Sequence, residues 1–121
     1  LAPIRPGEAV ITEAFDLPNR RVIHCLGPVY GSDEPAAELL ANCYREALRL
    51  AEDAQLASVA FPAISTGVFG YPLAEAAEVA MRAVRACAPE LRSVRRVRFV
   101  LWDPEAVRMH EEALRRIFPP E

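Results

Sequence analysis

The chain has 121 residues, a net charge of −3 and 52 % hydrophobic residues, which suits one globular domain and excludes a disordered tract. Its 11 prolines exclude a continuous coiled coil. All 14 basic residues are arginine, so Schiff-base, Walker-type and kinase-type lysine chemistry is impossible, and the acidic balance argues against a nucleic-acid partner.

In chain order, Leu1-Ala2-Pro3-Ile4-Arg5-Pro6 lacks the basic start and apolar core of a secretory leader. It also lacks an initiating Met, which implies processing or a longer parent. Residues 8–14 and 21–26 read as strands, with Asp16, Pro18 and Asn19 as turn formers between them. So short a link makes the two strands an antiparallel pair. Gly27-Pro28 ends the second strand, and Ser32, Asp33 and Pro35 are helix-start chemistry. Leu40, Cys43, Ala47 and Ala51 then recur at helical spacing, which predicts an amphipathic helix over 35–53.

Residues 57–64 are apolar without alternation, as in a strand buried on both faces, and Pro62 marks where its regular part stops. A second helix is predicted over 72–87, with Leu73, Ala77, Met81 and Val84 on one stripe. Residues 94–102 read as a fourth strand. Asp103 then caps a last helix with Pro104 at its first position and Val107, Leu114 and Ile117 as its apolar stripe. The order β-β-α-β-α-β-α predicts an α/β layered fold with mostly parallel strands, whose ligands bind beyond the carboxyl ends of those strands.

No apolar run approaches the roughly 18 residues of a membrane span. Cys25, Cys43 and Cys87 are odd in number and form no C-x-x-C, against both a disulfide framework and a zinc site. They read as reduced, mostly buried thiols of a cytoplasmic protein.

The segment richest in chemistry runs from Phe61 to Leu73. A buried strand enters Ser65-Thr66-Gly67-Val68-Phe69-Gly70, and a helix follows with Pro72 near its start. Glycines there let the main chain approach a ligand. Successive N–H groups can form an anion nest, reinforced by the helix N-terminus, and the fitting guest is a phosphate or pyrophosphate. A plain strand-to-helix turn fits the local residues equally. The pattern is neither G-x-G-x-x-G nor G-x-x-x-x-G-K-[ST], which disfavours dinucleotide oxidoreductases and P-loop NTPases.

Taken together, these motifs resemble the macrodomain family in its MacroD-like branch. Phe61-Pro62-Ala63-Ile64-Ser65-Thr66-Gly67-Val68-Phe69-Gly70-Tyr71-Pro72 is similar to that family's second ligand loop. Gly7-Glu8-Ala9-Val10-Ile11-Thr12, Leu17-Pro18 and Val22-Ile23-His24-Cys25-Leu26-Gly27-Pro28 resemble the strands before it, and Leu40, Cys43-Tyr44 and Leu48 the helix between. The resemblance implies a three-layer α/β/α sandwich around a mixed six-stranded sheet. It also implies ADP-ribose as ligand, free or on an ADP-ribosylated protein, with neither metal nor cofactor. Many members hydrolyse ADP-ribosyl esters on proteins or deacetylate O-acetyl-ADP-ribose; the alternative is a reader that binds without turnover. By position, Ser65, Thr66, Gly67, Val68, Phe69 and Gly70 would cradle the diphosphate, with Phe69 on the distal ribose and Trp102 beside the adenine.

The resemblance also implies an absence. A complete member opens with a strand, a helix and a strand ending in an Asn-Ala-Ala-Asn-like segment, then a Gly-rich loop with an Asp. None of these lies within residues 1–121, and Asn19 and Asn42 match none of them, so no catalytic residue transfers. Residues 1–121 are therefore expected to form a single domain equal to the C-terminal two-thirds of a macrodomain. One missing strand belongs in the middle of the sheet, so the first two and last two strands should share no neighbour. These residues are expected to belong to a longer polypeptide, or the N-terminal part is absent or supplied by another chain.

Other residues read more plainly. His24 and Cys25, adjacent on a strand, point to opposite faces and cannot act as a dyad; a buried structural role is expected for them. His110 reads as a surface or boundary residue. Arg92, Arg95, Arg96 and Arg98 read as a solvated loop and the polar face of a strand. Glu75 and Glu78 complement the helix dipole. Tyr71 either touches ligand or staples the loop to the helix. Clustered carboxylates for Mg²⁺, which a nucleotide phosphohydrolase needs, are not found.

Overall fold

The computed structural model describes residues 4–14 and 20–119. The turn formers Asp16, Pro18 and Asn19, the Leu17-Pro18 pair and the first three residues lie outside them. The elements are β1 (Ala9–Glu13), β2 (Arg21–Cys25), α1 (Ala36–Asp53), β3 (Ser58–Phe61), α2 (Leu73–Cys87), β4 (Arg96–Phe99) and α3 (Pro104–Ile117). A single 3-10 turn, Ala88–Glu90, follows α2. Element order and type agree with the sequence reading. The last strand is shorter than expected: β4 stops at Phe99, three residues before Trp102.

β1 and β2 pair antiparallel, with Ile11 opposite Ile23 and Ala9 opposite Cys25. β3 and β4 pair parallel, with Phe61 opposite Phe99. Among the described residues these are two separate two-stranded sheets. The expected break in the sheet is thus present. A groove of about 1170 Å³ separates the halves. It is walled by β2 from Arg20 to Gly27 and by β3 from Leu56 to Ser65, with Ala47 of α1 also lining it.

The core lies on one side of the strands. Val59, Phe61, Val97 and Phe99 pack towards the helices, while Ser58, Ala60, Arg96 and Arg98 are exposed on the other side. α1 supplies the buried stripe Ala36, Leu40, Cys43, Tyr44, Ala47, Leu48 and Ala51, recurring every three to four residues as one helical face must. Tyr44 meets Phe61 edge-on at 4.9 Å between ring centroids, a geometry that contributes about 0.5–1.5 kcal/mol beyond burial. α2 packs on both α1 and α3 through small residues, Ala76, Ala77, Ala80 and Ala83. The exposed arginines alternate with Val97 and Phe99, as the polar face of a half-covered strand. β4 is held in register by Glu52 at the end of α1, whose carboxylate accepts the N–H groups of Arg92, Ser93 and Val94 at 2.9–3.0 Å. These bonds, that of Val94 foremost, hold the carboxyl below the usual carboxylate range.

Several side chains depart from expectation. His24 is exposed and bonds Thr12 Oγ1 at 3.0 Å, because β1–β2 carries a helix on only one face. His110 is buried, 4 % exposed, against Phe99, with Nδ1 2.8 Å from the Ala106 carbonyl oxygen. α3 buries Ala106, His110, Ala113 and Ile117; Val107 and Leu114 are exposed and flank a second groove of about 380 Å³. The buried stripe keeps Ile117 but otherwise runs through Ala106, His110 and Ala113, and Ala113 and Ile117 cluster with Ala77 and Met81 of α2. Asp33 does not cap α1. Its carboxylate accepts the Val29 N–H at 2.8 Å, and Glu34 accepts that of Ala36 at 3.1 Å. Asp103 does cap α3, accepting from Glu105 N–H at 3.0 Å.

Candidate functional site

Two loops meet beyond the carboxyl ends of β2 and β3. The first, residues 26–33, follows β2; the second, residues 62–72, follows β3. They touch where Gly27 backs onto Ile64 and Ser65: a Cβ at Gly27 would fall 2.6 Å from Ile64 Cγ2 and closer still to Ser65 Oγ. The Tyr30 N–H donates to the Phe69 carbonyl at 2.9 Å, and the Tyr30 and Tyr71 rings meet at a 58° tilt with centroids 4.9 Å apart. Tyr71 is 5 % exposed and its N–H donates to the Ser65 carbonyl at 2.9 Å, so it staples the loop. Glycine and proline after a strand, then aromatics at 30 and 71, are the signals by which sequence could find this second wall.

Within the second loop, three bonds set the turn. Thr66 Oγ1 donates to the Ala63 carbonyl at 2.9 Å, Gly70 N–H donates to the Gly67 carbonyl at 3.0 Å, and Gly70 takes φ +74°. Ser65 takes φ +68°, in the left-handed region that most side chains avoid. Its Oγ is buried and has no hydrogen-bond partner among the described residues. Among those residues, the N–H groups of Gly67, Val68 and Phe69 also find no acceptor. Nothing stands within 4 Å of the place a Gly67 Cβ would take, and Val68 is fully exposed. A row of unengaged donors on a glycine turn, immediately before the N-terminus of α2, is a ready acceptor of a multiply charged anion.

The predicted site residues are therefore grouped, with one exception. Ser65, Thr66, Gly67, Val68, Phe69 and Gly70 form one turn, and Ser65 and Phe69 line the end of the large groove. Trp102 lies beyond β4 at 97 % exposure and lines neither groove. Glu78 belongs elsewhere. It bridges Arg82 on α2 and Arg116 on α3, and those two arginines, Arg116 first, lower its pKa. The residues lining the large groove include no Asp or Glu. Among the described residues no group of three His, Cys, Asp or Glu side chains could hold a metal ion, and no helix is long and apolar enough to cross a membrane.

Comparison with known proteins bears on the same segment. A family model described as Macro domain matches residues 1–80. An O-acetyl-ADP-ribose deacetylase of Klebsiella pneumoniae (strain 342) is 48 % identical over 110 residues, covering 90 % of this chain and 63 % of that protein. A macro domain-containing protein of Streptomyces nogalater is 50 % identical over 100 residues, covering 83 % and 54 %. Among solved structures, a mutant macrodomain of Oceanobacillus iheyensis with ADPR superposes with a TM-score of 0.90 at 38 % identity, over 97 % of this chain and 63 % of that one. A Trypanosoma brucei macrodomain in complex with ADP-ribose superposes at 0.82 and 32 % identity, over 91 % and 46 %. The chain thus spans under two thirds of the length of these relatives. With its loops, its order of elements and two thirds of its length matched by the family model, the chain belongs to the Macro domain family and has the macrodomain α/β fold.

Proposed function

We propose that this chain binds ADP-ribose, with the diphosphate on the main-chain N–H groups of residues 65–70, Phe69 on the distal ribose and Trp102 beside the adenine. The observation that carries the reading is the set of unengaged N–H groups at Gly67, Val68 and Phe69 beside the N-terminus of α2. Such a cradle binds a diphosphate without basic side chains, so a net-acidic chain without lysine can still do it. The relatives named for O-acetyl-ADP-ribose deacetylation or solved with ADP-ribose support the choice of ligand.

We further propose that residues 1–121 form the C-terminal two-thirds of a macrodomain whose remaining part seats a strand between β2 and β3. The groove between the two half-sheets supports this. In that intact domain the reaction would be hydrolysis of ADP-ribosyl esters on proteins or deacetylation of O-acetyl-ADP-ribose. The alternative is a reader that binds ADP-ribose without turnover.

Calorimetric titration with ADP-ribose tests the binding. Saturable binding, with AMP at least about tenfold weaker, is expected if diphosphate and distal ribose are both read. A cooperatively melting chain that binds neither refutes it.

A further inference from the structure

We propose that Asp33 is a positioning residue for the candidate site: its carboxylate sets the turn that holds Phe69, and so governs recognition of the distal ribose. The proposal rests on the ADP-ribose reading above. Phe69 is half-buried and belongs to neither core cluster of the described residues, so its place is set through its backbone. That backbone is clamped. The Phe69 carbonyl and the Gly70 N–H belong to one planar peptide unit and point in opposite directions. The Tyr30 N–H donates to the first at 2.9 Å, and the second donates to the Gly67 carbonyl at 3.0 Å. With both ends of the unit held, the rotation between Phe69 and Gly70 is fixed and the Phe69 side chain is aimed.

The Tyr30 N–H is itself aimed by Asp33. It shares a peptide unit with the Val29 carbonyl, which accepts the N–H groups of Ser32 at 3.1 Å and of Asp33 at 2.9 Å. The Asp33 carboxylate closes the same turn from the other side, accepting the Val29 N–H at 2.8 Å. Asp33 thus holds residue 29 at both its N–H and its carbonyl. A continuous run of hydrogen bonds leads from Asp33 through the 29–30 peptide to the 69–70 peptide, and from there to Gly67. Bonds in such a run polarise and strengthen one another. The other end of the second loop has its own brace, because Thr66 Oγ1 donates to the Ala63 carbonyl at 2.9 Å. Loss of the Asp33 carboxylate should therefore loosen Phe69, at the distal ribose, more than the diphosphate cradle before it.

The test compares the parent chain with Asp33→Ala and Asp33→Asn. Calorimetric titration uses ADP-ribose and ADP, which lacks the distal ribose. Asp33→Ala should lose about tenfold in affinity for ADP-ribose and less than about threefold for ADP. Asp33→Asn keeps a side-chain oxygen for the Val29 N–H and should hold its ADP-ribose affinity within about threefold of the parent. Amide hydrogen exchange, followed by NMR, reads the run of bonds without any ligand. In Asp33→Ala the Tyr30 and Gly70 amides should exchange faster by about tenfold or more, with those of α1 unchanged. Faster exchange at Val29 alone would make Asp33 a local brace and overturn the proposal. So would an equal loss for ADP-ribose and ADP, which a general loosening of the chain would produce, or the same loss in Asp33→Asn as in Asp33→Ala. A parent chain that binds no ADP-ribose overturns the underlying reading, and the proposal with it. A parent chain that binds, with its preference for ADP-ribose over ADP intact in Asp33→Ala, overturns the proposal alone.

Discussion

Gly27 and Ser65 are the point at which the two half-sheets touch: the space a Gly27 Cβ would occupy is taken by the Ser65 side chain and by Ile64 Cγ2. Ser65 is held there in a left-handed conformation, with its hydroxyl buried and unpartnered. One glycine thus lets the loop after β2 support the loop after β3.

Gly27→Ala should therefore destabilise the chain by about 1–3 kcal/mol, the usual cost of overpacking. The measurement is a thermal or urea melt. Ser65→Ala removes only an unsatisfied hydroxyl and should be close to neutral. The double variant should recover part of the loss, not all, since Ile64 Cγ2 still stands 2.6 Å from the new methyl. Equal melting of Gly27→Ala and the parent chain would mean that the contact is slack.

Gly67→Glu tests the cradle without touching the fold. Nothing lies within 4 Å of the added Cβ, so the melting temperature should be unchanged. The carboxylate would meet the diphosphate with like charge and bulk. ADP-ribose affinity should drop at least about tenfold, or roughly 1.4 kcal/mol. Unchanged affinity would remove residues 65–70 from the site.

Trp102 is the sole tryptophan and is almost fully exposed, so its fluorescence reports on its own surroundings. If adenine settles beside it, ADP-ribose and AMP should both shift or quench the emission, while ribose 5-phosphate should not. An emission that stays constant at saturating ADP-ribose would place the adenine elsewhere. Trp102→Ala should leave the melt unchanged, since the side chain contributes little to the core.

His110 predicts a pH effect of fixed sign. Burial lowers its pKa, outweighing the bond to the Ala106 carbonyl, so the folded chain holds this proton less tightly than the unfolded one. Stability from the neutral ring is full above the unfolded value of about 6.5 and declines as pH falls from there towards the lowered folded value. Melting temperature should fall across that window in the parent chain. His110→Phe, which keeps a ring against Phe99 and removes a buried nitrogen without a partner, should flatten the dependence. A parallel fall in both would assign the effect to other groups.

The order of elements was legible because its signals are local. The stripe Leu40, Cys43, Ala47 and Ala51 has helical period whatever surrounds it, and all four are buried. Pro62 ends β3 because proline cannot donate to a ladder, and Asp103 caps α3 through its own carboxylate. The loop at residues 65–70 was legible as a glycine turn between strand and helix. What it could not reveal alone was which of its N–H groups remain free, since that depends on bonds to Ala63, Ser65 and Gly67 carbonyls in the folded turn.

Burial was less legible, because it depends on what lies opposite. His24 was expected inside and is outside, since no described helix covers its face of β2; His110 was expected at the surface and is inside, since Phe99 and α2 lie against α3. The amino-acid sequence by itself determined the elements, the exclusion of lysine chemistry and the glycine loop, all of which follow from residue type and spacing along the chain. Only the tertiary structure decided that Gly27 abuts Ser65 and that a groove parts β2 from β3. Those are relations between residues distant in sequence, set by how strands and helices pack, and no periodicity along the chain encodes them.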